Sequence, residues 1–99
     1  MGNLQIATTI RQQLYAHGTQ KVWSWGAHAW RGGENFLRFR VSGHHFKGVV
    51  KITLNSMDLY DIEFLKGEKV VHEVNGAYFD NMTDIIDRYV EYVKEYGNF

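Results

Sequence analysis

The spacing of hydrophobic positions changes twice along this 99-residue chain. Ile6, Ala7, Ile10 and Leu14 recur at intervals of three and four. That spacing lines one face of a helix and predicts a helix over 4–17. Asn3 is placed to cap it and Gly18 to stop it in a left-handed conformation. The period then falls to two. Leu37, Phe39 and Val41 alternate with Arg38 and Arg40; Phe46, Gly48, Val50, Ile52 and Leu54 alternate with Lys47, Val49, Lys51 and Thr53. Tyr60, Ile62 and Phe64 alternate with Leu59, Asp61 and Glu63. Such runs are half-buried antiparallel strands. A fourth strand is read over 69–74 and a fifth over 20–29. Met82, Ile85, Ile86, Tyr89, Val90 and Val93 then restore the helical period. Asp80 or Asn81 caps this last helix and Gly97 ends it. Short polar turns at 31–34, 42–45, 55–58 and 66–68 join the strands. The expectation is a single α+β domain over 1–99. It is a five-stranded antiparallel meander flanked by an N-terminal and a C-terminal helix, in the order α-β-β-β-β-β-α.

Opposed residues on paired strands share a face, so register sorts the side chains. Setting Leu54 opposite Tyr60 places Lys51 opposite Glu63 and Thr53 opposite Asp61, which pairs charges sensibly. Setting Val41 opposite Phe46 places Arg40 opposite Lys47, a repulsive pair. All three tryptophans fall within VWSWGAHAW (22–30). Trp23 and Trp25 lie two apart and are expected in the core, opposite Val41 and Phe39. Trp30 precedes the Gly-Gly turn, falls outside the alternation and is expected to be a contact residue. With both helices on the inner face, the outer face stays open. It would carry His28, Phe36, Arg38, Arg40, Lys47, Val49, Lys51, Leu59, Leu65 and Val71. His72 is read as facing inward opposite Ile62, unless a two-residue turn at Gly67-Glu68 flips it outward.

Composition narrows the chemistry. Eleven basic residues balance eleven acidic ones, so no global charge draws the chain to nucleic acid or to an anionic membrane. The absence of cysteine removes disulfides, thiolate metal sites and thiol catalysis, and fits a cytoplasmic protein. The N-terminal run MGNLQIATTIRQQL has no basic start followed by an apolar stretch, so no signal peptide is expected. No apolar run approaches a membrane span. His17, His28, His44, His45 and His72 lack the i, i+2 or i, i+4 spacing of paired ligands, so no metal is expected. No nucleophile elbow or phosphate loop occurs, so neither a catalytic residue nor a cofactor is expected.

The runs WGAHAW, LRFRVSGHHFKGVVKITLNSMDLYDIEF and AYFDNMTDIID resemble small uncharacterised proteins of bacteriophages and other bacterial mobile elements, over most of residues 4 to 90. That family has no assigned activity, and no functional residue carries over from it. The resemblance implies a small accessory protein that binds and blocks a host component. The residues themselves point to a non-enzymatic interaction protein. Its expected binding residues are Trp30, Phe36, Arg38, Arg40, Lys47, Val49 and Lys51 on the open sheet face. The candidate occupants of that face are a protein partner, a second copy of the chain, or single-stranded nucleic acid stacked on its basic and aromatic groups.

Overall fold

The computed structural model describes residues 5–91. The elements are α1 (Gln5–Ala16), α2 (Thr19–Ser24), β1 (His28–Gly32), β2 (Phe36–Ser42), β3 (Lys47–Leu54), β4 (Tyr60–Lys66), β5 (Lys69–Ala77) and α3 (Met82–Val90). The strands form one antiparallel sheet in the order β1-β2-β3-β4-β5. The fold is therefore the expected α+β meander between an N-terminal and a C-terminal helix. Asn3, Leu4, Val93 and Gly97, used above to bound the helices, lie outside the described residues.

The helices share one side of the sheet. Ala7, Ile10 and Leu14 of α1, Val22 of α2, and Met82, Ile86 and Val90 of α3 are buried with Leu37, Phe39, Val41, Val50, Ile52, Ile62 and Phe64 in one apolar cluster. The inward residues of β2, β3 and β4 are those read from the period-two alternation. Polar stitches tie the helices to one another and to the sheet. The Thr83 hydroxyl donates to the carbonyl of Leu14 at 3.0 Å, which satisfies a carbonyl that the end of α1 leaves open. Tyr60 donates its hydroxyl to Gln13 at 3.1 Å. Lys21 pairs with Asp84 at the surface. The Lys21 ammonium, hydrogen-bonded to the carboxyl, holds Asp84 below the usual carboxylate range. This stabilisation is present at neutral pH and is lost as pH falls through that range. Both side chains are about half exposed, so it stays below about 1 kcal/mol.

The segment 20–29 departs from expectation. It is not a strand: α2 occupies Thr19–Ser24, and β1 begins only at His28. Val22 and Trp25, three apart, are both fully buried, which is helical rather than strand spacing. Trp23 lies between them and is 72% exposed. The left-handed stop is also displaced. Gly18 has an extended φ of 164° and is needed for another reason: a Cβ there would come within 2.7 Å of Thr83 Cγ2. Gly26, at φ 64° after α2, takes the left-handed conformation instead.

Trp25 and Trp30 flank Phe39. Trp30 stacks on the Phe39 ring at 4.5 Å, and Trp25 lies parallel to the same ring at 6.3 Å. The Trp25 indole N–H donates to Asp87 of α3 at 3.0 Å. Trp30 is thus half-buried on the helix side, with the Arg11 guanidinium 4.5 Å over its ring. The expectation that Trp30 serves as a contact residue of the open face is overturned.

A bulge makes this possible. His28 is opposite Arg40 and Arg31 is opposite Arg38. Ala29 and Trp30 therefore stand against the single residue Phe39, which is a β-bulge. Ala29 takes a positive φ of 55°, a conformation strained for a residue with a Cβ. A second bulge sits in β5, where Val71 is the extra residue between Val70 opposite Leu65 and His72 opposite Phe64. The hairpin between Lys66 and Lys69 does have the two-residue Gly67-Glu68 turn. The bulge reverses the flip that this turn would impose. His72 returns to the helix side, stacked on Tyr89 at 4.3 Å, with Phe64 rather than Ile62 as its opposite residue.

Two outcomes follow. Iodide should quench Trp23 emission and leave Trp25 protected, measured in variants that retain one tryptophan each. Ala29→Gly should relieve the positive-φ strain and raise stability by about 0.5–1 kcal/mol in chemical denaturation.

Candidate interaction face

The side of the sheet away from the helices is organised in rows. One row runs Arg31, Arg38, Lys51, Glu63 and Glu73 across β1 to β5, each residue opposite the next. It is three cations followed by two anions. The neighbouring row runs His28, Arg40, Val49, Leu65 and Val70, which is basic on β1 and β2 and apolar beyond. A third links Phe36, Thr53 and Asp61. The face is therefore divided, cationic toward β1 and acidic and apolar toward β5.

Of the expected binding residues, Phe36, Arg38, Arg40, Lys47, Val49 and Lys51 all belong to this side; Trp30 does not. Arg38, Arg40 and Lys47 are exposed. Lys51 is half-buried, with its ammonium 4.7 Å over the Phe36 ring, a cation–π contact that fixes both side chains. Val49 is only 5% exposed although no helix covers it and it stands apart from the helix-side cluster. Its neighbours in the row are Arg40 and Leu65. Val49 is thus a floor of the face rather than a contact.

The expected opposition of Arg40 and Lys47 is corrected. Ser42 is opposite Lys47 and Arg40 is opposite Val49, because the pairing is offset by two residues and Phe46 lies before β3. The offset preserves every facing. Arg40 and Lys47 still share a hollow of about 470 Å³, lined also by His28, Ser42, Lys66 and Gly67 among others.

Arg31 is the residue that sequence reasoning missed, since it was placed in the 31–34 turn. Strict alternation would set it on the face opposite to His28, three residues before it. The bulge at Ala29 and Trp30 returns it to the open side. Only the non-alternating Ala-Trp step before it hints at this. Arg31, Arg38 and Arg40 together line a second hollow of about 300 Å³, with Ala29, Phe39 and Val49. Among the described residues the ion pairs are Lys21 with Asp84 and His44 with Glu91, so none of these arginines meets a carboxylate. Asp61 is engaged otherwise, accepting from Asn55 Nδ2 at 3.1 Å and from the Gly76 backbone N–H at 3.2 Å.

Chemically, the face offers fixed cations, one clamped aromatic ring and an apolar floor. Among the described residues no three His, Cys, Asp or Glu side chains gather as a metal-binding group. No described helix is long and apolar enough to cross a membrane. Comparison with protein-family models, with curated proteins and with solved structures finds no match. What the face does must be inferred from its own geometry.

Truncating the floor should be felt in folding. Val49→Ala should cost about 1–3 kcal/mol, whereas Lys47→Ala, exposed beside it, should stay within about 0.5 kcal/mol. Urea melts of the two variants measure this.

Proposed function

We propose that this protein is a non-enzymatic interaction protein that docks an acidic protein surface on the cationic half of its open sheet face. It would be a small accessory protein of the kind found in bacteriophages and mobile elements, acting in the cytoplasm on a host or phage macromolecule. The observation that carries the reading is the row Arg31, Arg38, Lys51, Glu63, Glu73. Nothing in folding requires Arg31 and Arg38 to stand opposed, next to Lys51, with no ion-paired carboxylate for either arginine among the described residues, and mutual repulsion disfavours them. An acidic partner relieves that repulsion and speeds encounter. The split also favours protein over nucleic acid, because a polyanion laid across the strands would meet Glu63 and Glu73. The second reading, single-stranded nucleic acid tracking along β2, is supported by Phe36 beside Arg38 and Lys51, a basic and aromatic grouping suited to base stacking.

Arg40→Glu combined with Lys47→Glu should abolish capture of the partner from host lysate while leaving the melting temperature nearly unchanged. Arg88→Gln, exposed on α3, should bind normally. Nuclease treatment should not release the partner, and salt should act mainly on the association rate. A steep loss of equilibrium affinity for oligonucleotides with rising salt would select the second reading. Unaltered capture by the double variant would refute both.

A further inference from the structure

We propose that the hollow between β1 and β2 is a receptor for one phosphoryl dianion, as a phosphomonoester or as free phosphate. This rests on the reading of the open face as a docking surface and names the group that the surface takes. Three observations converge on it. First, the hollow lies beside the bulge of β1, where Ala29 and Trp30 stand against Phe39, and its volume is about 300 Å³. That is the lower end of the size range of small-molecule sites. Second, its charged lining is arginine throughout, from Arg31, Arg38 and Arg40. Guanidinium groups stay charged at every physiological pH and present forked donors that match phosphate oxygens in pairs. Arg31 and Arg38 are directly opposed in register, and none of the three meets a carboxylate among the described residues. Third, buried Val49, which stands opposite Arg40, lines the hollow between the arginines and gives it an apolar base.

Charge selects the ligand class. Three fixed cations are better neutralised by a phosphoryl group, with a charge of about −1.5 to −2 at neutral pH, than by a single carboxylate. The same row limits the ligand to one such group. Beyond Lys51 it turns to Glu63 and Glu73, which repel a second phosphate placed further across the sheet.

The test uses the full chain and titrates inorganic phosphate, phenyl phosphate, acetate and a single-stranded oligonucleotide at matched ionic strength, read by calorimetry and melting temperature. Phosphate and phenyl phosphate should each saturate at one site per chain and raise the melting temperature. Acetate should bind at least about tenfold more weakly, as expected for a monoanion with fewer paired hydrogen bonds. Arg31→Gln and Arg38→Gln should each weaken phosphate binding by about tenfold or more. Both should melt no lower than the parent, since each removes a repulsive neighbour. Arg88→Gln, exposed on α3, should bind phosphate within about twofold of the parent. Phenyl phosphate binding at least as well as free phosphate assigns the site to phosphorylated groups; preference for free phosphate assigns it to the ion. The proposal is overturned if phosphate fails to saturate. It is equally overturned if Arg31→Gln binds like the parent, if acetate competes equally, or if the oligonucleotide occupies several chains in a manner indifferent to Arg31. If phosphate fails while the Arg40 and Lys47 reversals still abolish partner capture, the docking face stands without the receptor. If phosphate binds but partner capture ignores those reversals, the receptor stands without the docking face.

Discussion

Both sides of the sheet depend on the contact between Trp30 and Phe39. Trp30 must turn inward to reach that ring, while Arg31 and His28 beside it must turn outward. A regular strand cannot give three such directions to residues 28, 30 and 31. The extra residue in β1 does so, at the cost of a positive φ at Ala29. The strain is tolerated because burying an indole against a phenyl ring contributes more than the roughly 1–2 kcal/mol that a left-handed alanine costs. The hydrophobic core thus dictates where the cations of the open face stand.

Much of the fold was legible in the chain because period-two alternation is strong in β2, β3 and β4. The register between β3 and β4 was legible as well, since Lys51 with Glu63 and Thr53 with Asp61 leave little choice. What escaped was local. The residues 19–25 carry Val22, Trp23 and Trp25, and the two tryptophans fit a strand as well as Val22 and Trp25 fit a helix. A six-residue helix is too short for periodicity to decide, and packing against α1 and α3 decides instead. Phe46 reads as a strand residue but precedes β3, which moved the pairing with β2 by two. An even shift changes which residues are opposed and no residue's face, so the candidate face survived the error.

The candidate site was legible in its strand-borne members and opaque where bulges act. Arg38, Arg40, Lys47 and Lys51 follow from alternation. Arg31 and the inward return of His72 do not, because each depends on one extra residue in an edge strand. Net charge was also a poor guide. A total of zero conceals a face in which three cations and two anions are sorted to opposite ends of one row. Separation of charge, rather than its sum, gives this surface its polarity.

The bulges have a further consequence for the two edges of the sheet. An edge strand offers a row of unpaired backbone groups on which another strand can grow. Here β1 and β5 are the edges, and both are interrupted, at Ala29 and at Val71. A strand arriving at either edge finds its hydrogen-bonding ladder broken after a few residues. Growth into a continuous ribbon, the first step toward fibrils, is therefore blocked at both ends. The valine, isoleucine and phenylalanine of the sheet thus sit between two edges that offer an incoming strand no continuous partner.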